Sequence, residues 1–304
     1  MAEVQVPVPE QLAKKTVTGV LSTLQFTNSP FLVFELIPVN FVPIMVISKA
    51  SNIEVRDAIR RTWGFYRQYR DNTLRIKIFF VIGTDDFMTQ RIIMEQNVFD
   101  DVIQVSIPDV YSFSAYKELA AMIWVRKYLP DIRFYVKTED AVILNMNLFV
   151  DQLLPTLESI ADQELIIGWF GSDHIVHRGT YQKYIEAVIP ASAGELHYAM
   201  NLLYVVTASA ADRMLSALRH VELIEYPGDP FVTGILRDAA HVQITNLAIS
   251  SDQLKYLLAN GACKDAFEKN LDLLLCTTSL HVGSSKSMPE YFDAWNEMIG
   301  EKQI

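Results

Sequence analysis

Residues 56–64 read Arg56-Asp57-Ala58-Ile59-Arg60-Arg61-Thr62-Trp63-Gly64. Immediately before them, Phe41 to Ser48 is a near-continuous apolar run, the mark of a strand buried on both faces. Between the two, Ser51-Asn52-Ile53-Glu54 has the form of a capping box, with Ser51 capping and Glu54 reaching back. A helix carrying Val55, Ile59 and the arginines follows, and Arg56 and Arg60 share one of its sides at i, i+4. Alone, such a pair is a solvated basic face. Behind a buried strand and ahead of Thr62-Trp63-Gly64, it becomes a candidate for holding an anion.

Outward from this stretch, apolar runs and helical patterns alternate. Arg75 to Ile82 reads as a strand ended by Gly83, and Phe87 to Gln96 as a helix. Val102 to Val105 is a short strand. Tyr116, Leu119, Ala120, Ile123 and Trp124 mark an amphipathic helix ended near Pro130. Arg133 to Lys137 is a strand that runs into Thr138-Glu139-Asp140-Ala141. Leu165 to Trp169 and Asn201 to Thr207 read as further strands, Ala208 to Leu218 and Phe231 to Ala240 as helices, and Pro289 to Gly300 as a docking helix. This alternation predicts an α/β fold with a mostly parallel sheet flanked by helices. Ligands of such sheets bind beyond the carboxyl ends of the strands, where Glu139 and Asp140 fall.

The 304 residues are 50% hydrophobic with a net charge of −10. That supports a substantial core and excludes a nucleic-acid partner, which would need a basic face. Residues 1–40 read as an irregular arm and no transmembrane span or signal peptide is expected. The chain is expected to be soluble. Cys263 and Cys276 read first as two buried thiols, with a disulfide left open.

On these motifs the chain resembles the β-1,3-galactosyltransferase family of glycosyltransferases. That family opens with an apolar strand, a loop and Arg-x-x-Ile-Arg-x-Thr-Trp-Gly, and residues 56–64 match every fixed position. Phe80-Val81-Ile82-Gly83, Glu95 with Asp100-Asp101-Val102-Ile103, and Asp109, Tyr111 and Lys117 follow in the family's order. The resemblance implies a GT-A type fold over residues 41–300, with a nucleotide-binding half (41–145) and a C-terminal acceptor half (146–300). It implies an inverting hexosyltransferase that moves galactose or an N-acetylhexosamine from a UDP-sugar donor to a glycan acceptor on a glycoprotein or glycolipid, β-1,3 linked. It also implies protein glycosylation at the Golgi membrane or lumen.

The resemblance assigns roles residue by residue. Arg56, Arg60, Lys117, Lys137, Glu139 and Asp140 are expected at the donor. Lys137-Thr138-Glu139-Asp140-Ala141 aligns with Lys-x-Asp-Asp-Asp, whose acids hold manganese against the diphosphate. Here Asp140 and His281 are the metal candidates, because Ala141 occupies the expected ligand position. Weaker manganese dependence is expected for that reason. Tyr198 and Tyr204 are expected in the acceptor or sugar pocket, where Asn201, Leu202 and Leu203 replace three glycines and would narrow the space. Asp229 matches the family's general base, preceded by Gly228 where the family has glutamate. The departures at 141, 201–203 and 228 keep a second reading open: an inactive relative that binds a glycan, a nucleotide sugar or a partner enzyme.

Overall fold

The computed structural model describes residues 24–32, 40–65, 68–69, 74–170, 197–221, 228–247, 254–255, 262–270, 272–278 and 287–300. Its strands are β1 (Phe26–Asn28), β2 (Asn40–Ile47), β3 (Gln68–Tyr69), β4 (Leu74–Thr84), β5 (Val102–Pro108), β6 (Phe134–Glu139), β7 (Val142–Leu144), β8 (Leu165–Gly168), β9 (Leu203–Thr207), β10 (Gln243–Asn246), β11 (Leu254–Lys255) and β12 (Leu275–Thr277). The main helices are α1 (Ile53–Arg61), α2 (Thr89–Phe99), α3 (Ser114–Tyr128), α5 (Ala208–Ala217), α7 (Ala262–Lys269) and α8 (Ser287–Ile299). Met146–Leu148, Phe149–Leu153 and Leu154–Ile160 run on as α4, and Pro230–Leu236 with Arg237–Ala239 forms α6. The Phe149–Leu153 and Pro230–Leu236 segments are wound as π-helix.

One sheet organises the molecule, in the order β1-β5-β4-β2-β6-β9-β8-β10, with β3 beside β4. β5, β4, β2 and β6 are mutually parallel, as are β8 and β10. β9 runs antiparallel to both β6 and β8 and joins the two groups. This is the α/β arrangement expected from the sequence, a mostly parallel sheet flanked by helices. The residues of β2 explain its two faces. Val42, Ile44 and Val46 enter one core, and Phe41, Met45 and Ile47 the other, as the two-residue period of a strand requires. The first core is covered by α1, α4, α7 and α8, and the second by α3, α5 and α6. A small sheet, β11-β12-β7, lies beyond the end of β6.

Three local expectations are corrected. The arm is not irregular throughout, because Phe26–Asn28 adds an antiparallel edge strand to β5. The capping box does not form: Asn52 is the N-cap of α1 without a side-chain cap bond, and its amide instead donates to Asp140. Helix α3 is not amphipathic. Ala115 through Met122, Trp124 and Val125 are all buried, including Lys117 and Glu118, so it is a central helix that brings two charges inside.

Cys263 and Cys276 are joined in a disulfide between α7 and β12, which corrects the reading of two separate thiols. The bridge closes a loop of 13 residues, a length for which chain-entropy arguments give about 3 kcal/mol. A Cys263→Ser variant should therefore unfold at lower denaturant concentration than the parent. An unchanged urea midpoint would show that the bridge contributes nothing.

Candidate functional site

The opening motif is bound into the protein interior at almost every fixed position. Arg56 is fully buried. Its guanidinium donates to both carboxylate oxygens of Glu95, Nε at 2.8 Å and Nη2 at 2.7 Å. It also donates to Ser48 Oγ and to the carbonyls of Lys49 and Ala50. Arg60 donates to Glu95 and, bidentately, to Asp101 at 2.7 and 2.8 Å. Thr62 Oγ1 pairs with Tyr291 OH at 3.0 Å, and Trp63 Nε1 donates to the Val142 carbonyl at 3.0 Å. A Cβ on Gly64 would lie 2.6 Å from the Ile59 carbonyl oxygen, so only glycine lets the chain turn there. Arg56 and Arg60 are thus not the open anion ligands that the sequence suggests, because Glu95 and Asp101 already pair them. Arg56 fixes the loop after β2 through its carbonyls. The signal that locates its partner is Glu95, spaced on α2 to reach both arginines.

Lys117 is likewise internal, with Nζ 2.8 Å from Asp109 and 2.9 Å from the Ser48 carbonyl. Asp109 in turn accepts from the Ala50 backbone N–H. The loop 48–50 is therefore held from both sides, by Arg56 and by Lys117 with Asp109.

At the end of β6 the acids stand where the parallel sheet predicts. Glu139 is the more open of the two, and its Oε1 accepts from the Asn201 amide at 2.9 Å. Asp140 is buried, and its Oδ2 accepts from Ser48 Oγ at 2.7 Å and Asn52 Nδ2 at 2.9 Å. Ala141 is fully buried within the hydrophobic core. Its carbonyl accepts from the backbone N–H and hydroxyl of Thr278. Among the described residues no three His, Cys, Asp or Glu side chains could share a metal ion, and His281 lies outside those residues. Asp140, already bonded to Ser48 and Asn52, with Glu139 engaged by Asn201, does not fit a divalent cation.

Leu202 and Leu203 pack in the core rather than facing the donor space. Of the three residues at expected glycine positions, only Asn201 reaches the acids. Tyr204 is also buried, its hydroxyl 2.5 Å from Glu118 Oε2, so it lines no open sugar pocket. Tyr198 is half-buried just ahead of β9.

Asp229 lies partly buried at the start of α6. Pro230 occupies the first helical position, where its missing N–H costs nothing. Thr233 Oγ1 donates to the Asp229 carbonyl at 2.6 Å. Burial is the largest influence on the Asp229 carboxyl. The Lys137 charge opposes it, and the negative charges of Glu118 and Glu139 add to it, pushing its pKa up to about 8. Lys137, on β6, is buried with Nζ 3.0 Å from Glu118 and 3.6 Å from Glu139. Burial would lower its pKa, but Glu118, Glu139 and Asp229 hold it raised and charged. Glu118, Lys137, Glu139, Tyr204 and Asp229 thus form one electrostatic group at the carboxyl end of β6.

A family model described as galactosyltransferase matches residues 54–248, well over half of the chain. The chain belongs to the galactosyltransferase family. Among relatives of this galactosyltransferase-family chain, the Homo sapiens UDP-GalNAc:beta-1,3-N-acetylgalactosaminyltransferase 1 is 26% identical over 198 residues, covering 61% of this chain and 56% of the relative. The Rattus norvegicus beta-1,3-galactosyltransferase 4 is 32% identical over 120 residues, covering 38% and 31%. The chain thus spans about half the length, or less, of these curated relatives. A solved structure, the apo WbbM bifunctional glycosyltransferase, superposes at a TM-score of 0.45 with 11% identity, covering 92% of this chain and 52% of that one.

Proposed function

We propose that this chain is an inverting hexosyltransferase. It moves galactose or an N-acetylhexosamine from a UDP-sugar to a glycan hydroxyl, in β-1,3 linkage, on a glycoprotein or glycolipid. The observation that carries this reading is Asp229, a half-buried carboxyl with its pKa near working pH, set beside the buried Lys137 at the end of β6. Asp229 accepts the proton of the acceptor hydroxyl. The acceptor oxygen then forms its bond to the anomeric carbon from the face opposite UDP. The bond from that carbon to the diphosphate oxygen breaks, and UDP leaves with the electron pair. A base of matched pKa contributes roughly 10²–10⁴-fold to such a step. Arg56, Lys117 and Asp109 act one layer back, by fixing the loop 48–50 beside Asp140. Glu139 and Asp140 border the donor end.

The Cys263–Cys276 bridge supports a place in an oxidising compartment, in keeping with the Golgi lumen. Among the described residues no helix is long and apolar enough to cross a membrane.

The test is thermal. UDP that binds only the folded state raises its melting temperature, by the equivalent of about 2.7 kcal/mol at a hundredfold excess over Kd. No shift at millimolar UDP, with and without Mn²⁺, removes the donor site. A second reading, a non-catalytic relative that binds a glycan, a nucleotide sugar or a partner enzyme, is favoured by one observation: Ala141 is buried and brings no side-chain oxygen to the strand end. UDP binding without transfer to any acceptor would select it.

We also propose that dependence on manganese is weak. Ala141→Asp would not repair the site, because the new carboxylate would point into the core that holds Ala141. It should lower the melting temperature by the cost of a buried, unpaired charge, several kcal/mol. A stable Ala141→Asp protein with new Mn²⁺-dependent UDP binding would contradict this.

A further inference from the structure

Glu118 is an internal carboxylate that takes no part in the proposed proton transfer to Asp229. It lies on α3, the central helix, and three elements converge on it. From β6, Lys137 Nζ stands 3.0 Å from its Oε1. From β9, Tyr204 OH donates to its Oε2 at 2.5 Å. From the turn before α6, Gly228 meets it directly: a Cβ there would overlap Oε1 and Cδ of Glu118 and come within 3.1 Å of Oε2. The Gly228 N–H donates to Ser114 Oγ, one turn back on the same helix, which pins the turn against α3. The carboxylate thus occupies the volume that any side chain at position 228 would need, one residue from Asp229. Tyr135, on β6, and Glu139 complete the titratable groups whose charge Glu118 feels or influences.

We propose that Glu118 is the positioning residue for Asp229: through the gap left by Gly228, its carboxylate claims the Lys137 ammonium and keeps Asp229 from closing an ion pair with it. This rests on the hexosyltransferase reading, in which Asp229 must accept a proton. The chemistry follows from the charges. Lys137 cannot be buried without a counter-charge. With Glu118 present, that counter-charge is fixed and hydrogen-bonded on its other oxygen by Tyr204. Without it, Lys137 is left to Glu139, 3.6 Å away, and to Asp229, and an aspartate drawn to a lysine is a weaker base. Glu118 and Gly228 form a matched pair, since the carboxylate fits only where position 228 has no side chain. In sequence they are 110 residues apart, each next to a residue that matches the family pattern, Lys117 or Asp229.

The experiment follows the Asp229 carboxyl by carbon NMR titration, identified by its absence in Asp229→Asn. Glu118→Gln keeps the side-chain shape and removes the charge. It should lower the Asp229 midpoint by roughly one pH unit, whatever it does to melting. A merely structural role for Glu118 would leave that midpoint unmoved. In parallel, Gly228→Ala should lower the melting temperature of the parent, and lower it less when Glu118 is already alanine. Where Glu118→Ala fails to fold, the Glu118→Gln titration decides. An unmoved midpoint, or a Gly228→Ala cost that is the same with and without Glu118, overturns the proposal. Its failure is distinguishable from that of the transferase reading. UDP binding with neither effect sinks the positioning role alone, while both effects without UDP binding sink the transferase and leave the coupling standing.

Discussion

Replacing Asp229 with asparagine should lower turnover by about 10²–10⁴-fold, the usual worth of a general base, and leave UDP affinity nearly unchanged. Asparagine is almost isosteric but accepts no proton at neutral pH. That split between turnover and affinity is the expected result if, as proposed, Asp229 meets the acceptor while the donor lies by Glu139, Asp140 and the loop 48–50. The parent should also show turnover rising with pH through about 8, as the Asp229 carboxyl ionises. Linkage gives a second readout of opposite sense. The folded pKa lies above the ordinary aspartate value of 3.8, so the folded state holds a proton that the unfolded state has released. The stabilising contribution is full below the ordinary value and is lost as pH rises through about 8. Asp229→Asn should therefore melt higher than the parent at alkaline pH, a stability gain at the expense of activity. Steady-state kinetics, UDP titration and melts at two pH values check all three. A variant that keeps most of its turnover would make Asp229 a simple helix-start residue.

The largest stability effect is expected at Glu95. Glu95→Ala removes the shared partner of Arg56 and Arg60 and leaves Arg56 a buried charge without its bidentate acceptor. Breaking a buried pair in this way costs about 3–5 kcal/mol. Urea or thermal melts should show it clearly, and a loss under 1 kcal/mol would mean that Asp101 and the loop carbonyls suffice. Burial pushes the Glu95 carboxyl up, but its bonds to Arg56 and then Arg60 prevail and hold it below its ordinary value. The corresponding stability is present above the ordinary glutamate value of 4.5 and is lost as pH falls through the depressed one. The parent should accordingly be acid-labile in a way that Glu95→Ala is not.

Much of the fold was legible because its signals are local. The alternation of Phe41, Met45 and Ile47 with Val42, Ile44 and Val46 requires a two-faced strand, and the strand-end place of Glu139 and Asp140 follows from the parallel sheet. The candidate site was legible in part. Asp229, the residue singled out by the resemblance, lies partly buried at the start of α6, within the electrostatic reach of Lys137. The arginines were misread because charge on a helix suggests an open ligand, and only tertiary structure reveals that Glu95, 39 residues away from Arg56, neutralises it. Glu118 was not legible at all, since its partners lie on β6, on β9 and before α6. Ser51 and Asn52 show the same limit in miniature: the local pattern favoured a cap, and a distant Asp140 claimed the Asn52 amide instead.

The antiparallel strand β9 has a mechanical consequence. It is laced to β6 along Phe134–Thr138 and to β8 along Ile166–Gly168, so the strands on either side of it belong to one stiff plate. A clamshell motion between them would have to tear backbone ladders inside the core. On the proposed function, admitting a donor and an acceptor would then leave this plate intact rather than open the body along β9.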